Sequence, residues 1–230
     1  MAAKTASKTP AEAAIVIPAI NLRTISIPVV GVTPLIMHKF DEKAMRMIEA
    51  KQQGKAQQKK APKQPKDLYR AAIYFDENGD YAMPATAFKA SAIGGMRQVE
   101  GLTMKGSSGA FHVEGNWVRI YGNPRMRSDL ARNKTGVVDT RYRPEFVKWC
   151  AIVRITFNAN VLTEEVLFNL FNVAGFAQGI GDWRPGSKEN YSGSFGRYRV
   201  AGADEVKKLI AEIERDAKTH REFDEEEEAA

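Results

Sequence analysis

Hydrophobic and polar residues alternate over several short stretches of this chain, and elsewhere the hydrophobic residues recur at helical spacing. Ile25, Ile27 and Val29 fall on one face of an extended segment, which predicts a strand over 22–32. Thr163 is a good helix cap, and the hydrophobic positions after it predict a helix over 163–174. The same patterns predict strands over 111–121, 149–158 and 196–200, and a helix over 84–99.

In chain order these elements run strand, helix, strand, strand, helix, strand, which is the ferredoxin-like βαββαβ arrangement. We therefore predict an α+β fold with a ferredoxin-like core, an antiparallel sheet, two insertions and disordered termini. The predicted parts are a disordered N-terminal arm over 1–20, a core over 21–202 with insertions at 33–83 and 122–148, a C-terminal helix over 203–219 and an acidic tail over 220–230.

The first insertion contains three predicted pieces. A helical pattern follows Asp41, which is a plausible N-cap. Residues 51–66 then carry six lysines and no acidic residue, a composition typical of a mobile basic loop. The segment from Leu68 to Phe75 predicts a strand, followed by a turn at Asn78-Gly79 and a returning strand.

The charge of the chain is distributed unevenly. Six of its 28 acidic residues lie within 222–228, so residues 1–221 carry 34 basic and 22 acidic residues, a net charge of +12. A basic body favours polyanionic partners. Three roles fit the acidic segment Glu222–Glu228: competition for the basic surface, docking of a protein partner, or solubility alone.

Composition excludes several classes of protein. The chain has no run of about 18 apolar residues, so we expect no membrane span. Its one cysteine, Cys150, cannot form an internal disulfide and fits a reducing cytoplasm. The three histidines are isolated and no nucleotide-binding P-loop motif is present, so we expect no metal and no cofactor.

The segment from Ala174 to Val200 is rich in glycine, arginine and aromatic residues. Glycine allows close approach of a ligand to the backbone, arginine binds phosphate, and aromatic rings stack on bases. Arginine and tyrosine also interleave over 125–143. These features predict a groove for single-stranded nucleic acid, whereas a surface loop whose glycines serve only turns is the alternative interpretation.

The predicted binding residues fall into three groups, and the prediction requires that they meet on one concave, positive surface. The phosphate-binding candidates are Lys89, Arg125, Arg127, Arg141, Arg143, Arg184, Arg197 and Arg199. The stacking candidates are Tyr142, Trp183, Tyr191 and Tyr198, and the backbone candidates are Gly179 and Gly181.

Three stretches resemble the RAMP superfamily, the RRM-like proteins that form CRISPR effector backbones and process guide RNA. They are Thr33–Ile36 after the first strand, Met83–Arg97 as a proline-led helix of small residues, and Gly179–Val200 as a C-terminal glycine-rich loop with its closing strand. The resemblance implies that a sheet face and the glycine loop follow a nucleic-acid backbone, that 122–148 acts as a thumb, and that copies assemble head to tail as a homo-oligomer.

The acidic C-terminus departs from that family and is similar to the tails with which phage and bacterial single-stranded DNA-binding proteins recruit partners. The chain as a whole also resembles small phage-encoded proteins. We therefore predict a cytoplasmic, non-enzymatic protein that binds or anneals single-stranded DNA in phage replication or recombination. A CRISPR-like RNA-binding backbone subunit and a protein-only assembly factor remain alternatives.

A metal-independent ribonuclease is the main enzymatic alternative. Some RAMP relatives cut RNA with a histidine, and here His38 follows the first strand while Asp41 lies close behind it. Ordinary structural roles are the stronger interpretation of both residues, His38 as a loop residue and Asp41 as a helix cap.

Overall fold

The computed structural model describes residues 19–40, 45–46, 49–50, 52–54, 64–132, 138–187 and 192–228, with 131, 132 and 218–228 described by backbone alone. Within these residues the strands are β1 (Leu22–Gly31), β2 (Leu35–Ile36), β3 (Ala82–Pro84), β4 (Phe111–Val113), β5 (Trp117–Arg132), β6 (Val138–Asn158) and β7 (Tyr198–Val200). The helices are α1 (Pro65–Ala71), α2 (Ala85–Gly95), α3 (Met104–Ser107), α4 (Glu164–Ala177) and α5 (Ala203–Glu228).

The strands form a large antiparallel sheet in the order β3-β5-β6-β1-β7, and β2 and β4 pair with β6 outside this path. β1 and β6 lie at its centre, with Ile27 opposite Val153 and Val29 opposite Ala151. All four of these side chains are buried in the main core. The predicted α+β class with an antiparallel sheet is confirmed.

The sheet has helices on both faces because side chains alternate along each strand. One face packs its aliphatic and aromatic residues against α2 and α4. On the other face Cys150 of β6 packs against Val206 and Ile213 of α5. Burial there raises the pKa of the Cys150 thiol to about 11.

Local signals explain where the two core helices begin. The Thr163 hydroxyl accepts a hydrogen bond from the Val166 N–H at 3.2 Å, and Glu164 and Glu165 occupy the positive end of α4. Pro84 precedes α2, where its fixed φ suits the start of a helix. A Cβ on Gly95 would lie 2.9 Å from the Ala174 Cα, so this glycine lets α2 and α4 touch.

The described residues of the second predicted insertion, 122–132 and 138–148, belong to strands. β5 and β6 pair there as a two-stranded arm, made of residues 124–132 and 138–146, beyond a register shift between Gly122 and Pro124. The predicted strand over Leu68–Phe75 is wrong, because its first half belongs to helix α1. Pro65 in the first turn and Asp67 beside the helix dipole favour that helix. The turn at Gly79 is present, with φ of 82°.

The C-terminal helix is longer than expected. α5 runs to Glu228, so the acidic segment continues the helix beyond the boundary predicted at 219. No helix in the described part of the chain combines the length and the apolar character that a membrane crossing requires.

Candidate nucleic-acid interface

Two adjoining clefts meet at His38. The first cleft, of about 500 Å³, lies between α2 and the glycine loop, residues 178–197, that follows α4. The second cleft, of about 280 Å³, lies between α1 and the arm. Because His38 lines both clefts, they adjoin at this residue, and we call the two clefts together the groove.

The glycines of the loop serve contacts within the chain itself. A Cβ on Gly196, which has φ of 65°, would lie 1.8 Å from the Ile180 carbonyl oxygen. A Cβ on Gly181, with φ of 78°, would lie 2.5 Å from the Ile36 carbonyl oxygen. The loop therefore needs glycine in order to close against β2 and against its own backbone. Gly179 and Gly181 nevertheless line the first cleft.

One face of the arm carries a ladder of alternating charges. Arg125 and Glu145 are opposite each other in the strand register, as are Arg127 and Arg143. The Arg125 Nε donates to Glu145 Oε2 at 2.7 Å, and Arg127 Nη1 donates to Glu145 Oε1 at 2.9 Å. Arg127 Nε also donates to Asp129 Oδ1 at 2.9 Å. Both Arg125 and Arg127 are thus hydrogen-bonded to a carboxylate, and the facing pair Arg127 and Arg143 lies between acidic side chains.

Arg143 links this ladder to the glycine loop. Its Nη2 donates to Asp129 Oδ2 at 2.8 Å, its Nη1 donates to Asp182, and its guanidinium carbon lies 4.0 Å from the centre of the Trp183 ring. Only 1% of its side chain is exposed. The prediction that Arg143 contacts phosphate is therefore wrong, since ion pairing and the indole ring enclose it.

The arm and the loop are also joined by stacking. The Arg127 guanidinium carbon lies 5.7 Å from the Trp183 ring centre and 5.0 Å from that of Phe195. Trp183 has φ of 55°, a conformation that non-glycine residues adopt rarely. Trp183 therefore stacks on guanidinium groups of the protein itself, whereas the sequence predicted that it would stack on a base. Tyr191 and Asp41 lie outside the described residues.

Asp182 lies between Arg143 and His38. Its Oδ2 is 3.4 Å from His38 Nδ1 and also accepts from Arg143. Burial alone would raise the pKa of this carboxyl, but the hydrogen bond with His38 and the charge of Arg143 outweigh it and lower the pKa to about 2. The carboxylate is consequently ionised at neutral pH and lies beside the imidazole at the junction of the clefts.

Tyr198 lies in the core, not in the groove. Its side chain is 1% exposed, its ring packs beside Phe88 and Trp149, and its hydroxyl is 3.0 Å from Ser91 Oγ. Burial raises the pKa of Tyr198 far above its usual value, with the Ser91 hydrogen bond opposing the change. The prediction that Tyr198 stacks on a base is wrong, because strand alternation turns this residue inward.

Three other predicted residues lie away from the groove. Lys89 Nζ is 3.0 Å from His112 Nδ1, on strand β4. Arg199 forms an ion pair with Glu205 of α5, on the far face of the sheet. Arg197 lies over the exposed Phe176 ring at 4.8 Å.

The groove itself brings together only part of the predicted set. Arg184, Gly179 and Gly181 line the first cleft, and Arg141 and Tyr142 line the second. Sequence reasoning missed several lining residues, namely Lys39, Phe40, Tyr74, Thr86, Ala87, Ala90, Ser91 and Gln178. Ala87, Ala90 and Ser91 recur at helical spacing in the sequence, and this pattern could have identified the α2 side of the first cleft.

Comparisons with known proteins establish no family. No family model and no curated protein matches the chain. Among solved structures, Cmr6 from Pyrococcus furiosus is similar with a TM-score of 0.40 and 12% identity, over 80% of this chain and 100% of that one. Values this low leave the function to be inferred from the residues of the groove.

Proposed function

We propose that this chain binds single-stranded nucleic acid along the groove. The observation that supports it best is the meeting of the two clefts at His38, which puts Arg184 of the loop and Arg141 of the arm on one path. Lys39 lines the same path. The two guanidinium groups along this concavity suit a phosphate backbone.

The exposed Arg184 retains donors for a ligand. Its Nη1 donates to the Gly181 carbonyl at 2.8 Å, which fixes the side chain beside the first cleft. A guanidinium has five N–H donors, so one such bond leaves others for a phosphate. The half-buried Tyr142 offers a ring in the second cleft, where one stacked base would contribute about 1–3 kcal/mol.

The paired arginines have a different role in this proposal. Arg127 and Arg143 hold the arm against the glycine loop, through Trp183 and Asp182, and so they set the width of the groove. Arg125 joins the two strands of the arm through Glu145. We assign them to positioning, and assign phosphate contact to Arg141 and Arg184.

We also propose that the core is of the ferredoxin-like, RAMP-type class. The order β7-β1-β6-β5 within the sheet supports this, as does the placement of α2 between β1 and β5 and of α4 between β6 and β7. That order and those crossovers are the ones expected of a βαββαβ unit.

Fluorescence anisotropy with labelled oligo-dT and oligo-rU tests the binding function. We expect affinity to fall steeply with salt, because bound phosphates release counterions. Arg184→Ala should weaken binding and reduce the magnitude of the salt slope by about one. Arg154→Ala is the matched control, since Arg154 is exposed on the sheet face opposite α2 and α4. Absence of binding, or affinity unchanged by salt, would refute the proposal and favour a protein-only role.

A second candidate function, RNA cleavage, is favoured by the contact of His38 with Asp182. A carboxylate that orients an imidazole at a cleft is an arrangement suited to general acid–base chemistry. Incubation of labelled RNA with the protein in EDTA tests it. Shortened product that disappears with His38→Gln would establish cleavage, whereas intact RNA bound by the protein would leave binding as the function.

A further inference from the structure

The first cleft is larger than contact with a phosphate backbone requires. We propose that it takes one base turned out of the bound strand, with the phosphate of that nucleotide held beside Arg184. This inference rests on the proposed function and assigns the nucleotide unit that the first cleft binds.

The cleft exists because two helices touch at one end only. α2 meets α4 where Gly95 lies against Ala174 and where Ser91 Oγ lies 3.4 Å from the Ala174 carbonyl oxygen. Toward the start of α2 the opposite wall is the glycine loop instead of α4. Ala87 and Ala90 on one wall and Gly179 on the other carry almost no side chain, so a space of about 500 Å³ remains.

That space has the dimensions and the chemistry of a nucleotide site. Small-molecule pockets commonly measure about 300–1,000 Å³, and this one is about 500 Å³. Its lining includes the Tyr74 ring and Met83, which provide apolar surface for a base. Arg184 and His38 provide the polar contacts for a sugar and a phosphate.

Gln178 supplies a group that can recognise the edge of a base. A Cβ on Gly94 would lie 2.7 Å from Gln178 Oε1, and one on Gly186 would lie 2.2 Å from it. The side-chain amide is therefore held between α2 and the loop, at the wall of the cleft. An amide donates and accepts hydrogen bonds, as the edges of the bases do.

A substitution that fills the first cleft without changing its charge tests this inference independently of the proposed binding function. Ala90 is exposed on α2 and lines the cleft, so Ala90→Leu fills the space with a residue that helices accept readily. Ala211→Leu is the matched control, an exposed alanine on α5 on the other side of the sheet. Each full-length protein is titrated with oligo-dT and with an oligonucleotide of equal length whose sites are all abasic.

We expect Ala90→Leu to weaken oligo-dT binding about tenfold, the value of one lost base contact of about 1.4 kcal/mol. Its affinity for the abasic strand should equal that of the wild type, and Ala211→Leu should change neither affinity. A loss of affinity that appears only when the strand carries bases would support the inference. Equal behaviour of Ala90→Leu and Ala211→Leu on oligo-dT would overturn it while the proposed function stands. Failure of the wild type to bind either strand would overturn the proposed function, and this inference with it.

Discussion

Replacement of Arg143 by methionine tests whether the charge ladder holds the arm to the glycine loop. The substitution removes a guanidinium whose side chain is 1% exposed and which hydrogen-bonds Asp129 and Asp182 while lying over Trp183. Methionine keeps much of the volume but leaves both carboxylates without this partner.

Breaking a buried ion pair by removing one partner costs about 3–5 kcal/mol. For Arg143→Met the free energy of unfolding should fall by an amount near the lower end, about 3 kcal/mol. The reason is that Asp129 keeps Arg127 as a partner and Asp182 keeps His38. At about 2–4 °C per kcal/mol for a chain of this size, the melting temperature should fall by roughly 6–12 °C.

Urea unfolding followed by far-ultraviolet circular dichroism measures the change directly. Arg125→Met is the control on the same ladder, because the Arg125 side chain is 68% exposed and Glu145 keeps Arg127 as a partner, so this substitution should destabilise the fold less than Arg143→Met. If Arg143→Met costs no more than Arg125→Met, the ladder does not hold the arm and the width of the groove is set elsewhere.

Three further predictions concern stability. Tyr198→Phe removes the hydroxyl bonded to Ser91 and should cost about 1 kcal/mol in urea unfolding, with no loss of oligonucleotide affinity, since the ring is in the core. Gly196→Ala should destabilise by more than about 1 kcal/mol, because its Cβ would lie 1.8 Å from the Ile180 oxygen; a normal melting temperature would contradict this. The pKa of Asp182 is lowered from 3.8 to about 2, so its ionised form stabilises the fold above pH 3.8, and this stability is lost as pH falls toward 2. Asp182→Asn should therefore be less stable than the wild type at pH 5 and converge with it near pH 2, as measured by urea unfolding at both pH values.

The ladder also explains how a basic chain builds a defined groove. Unpaired arginines on both strands of the arm would repel one another, whereas alternation with Glu145, Asp129 and Asp182 lets them pack at short distance. The cations proposed to meet a strand are then Arg184 of the glycine loop and Arg141, which lies opposite Asp129 in the strand register and lines the second cleft. A distinction between positioning and binding arginines follows from their partners and not from their residue type.

Local patterns were enough to predict the central elements. The alternation of Ile25, Ile27 and Val29 predicted β1, and the Thr163 cap predicted the start of α4. The arm was missed although its residues alternate, with Arg125, Arg127 and Asp129 on one face and Met126 and Leu130 on the other. Its charged face was interpreted as a set of binding residues, and so the alternation was not used to predict strands.

What the amino-acid sequence determined by itself is the place of central elements such as β1 and α4, because periodicity and capping depend on residues a few positions apart. What only the tertiary structure decided is which arginines are available. Arg143 meets Asp182, 39 positions away, and Tyr198 meets Ser91, 107 positions away, and no local pattern encodes contacts of that range. Burial and pairing arise when distant segments pack together, and so the groove could be located only once the chain was folded.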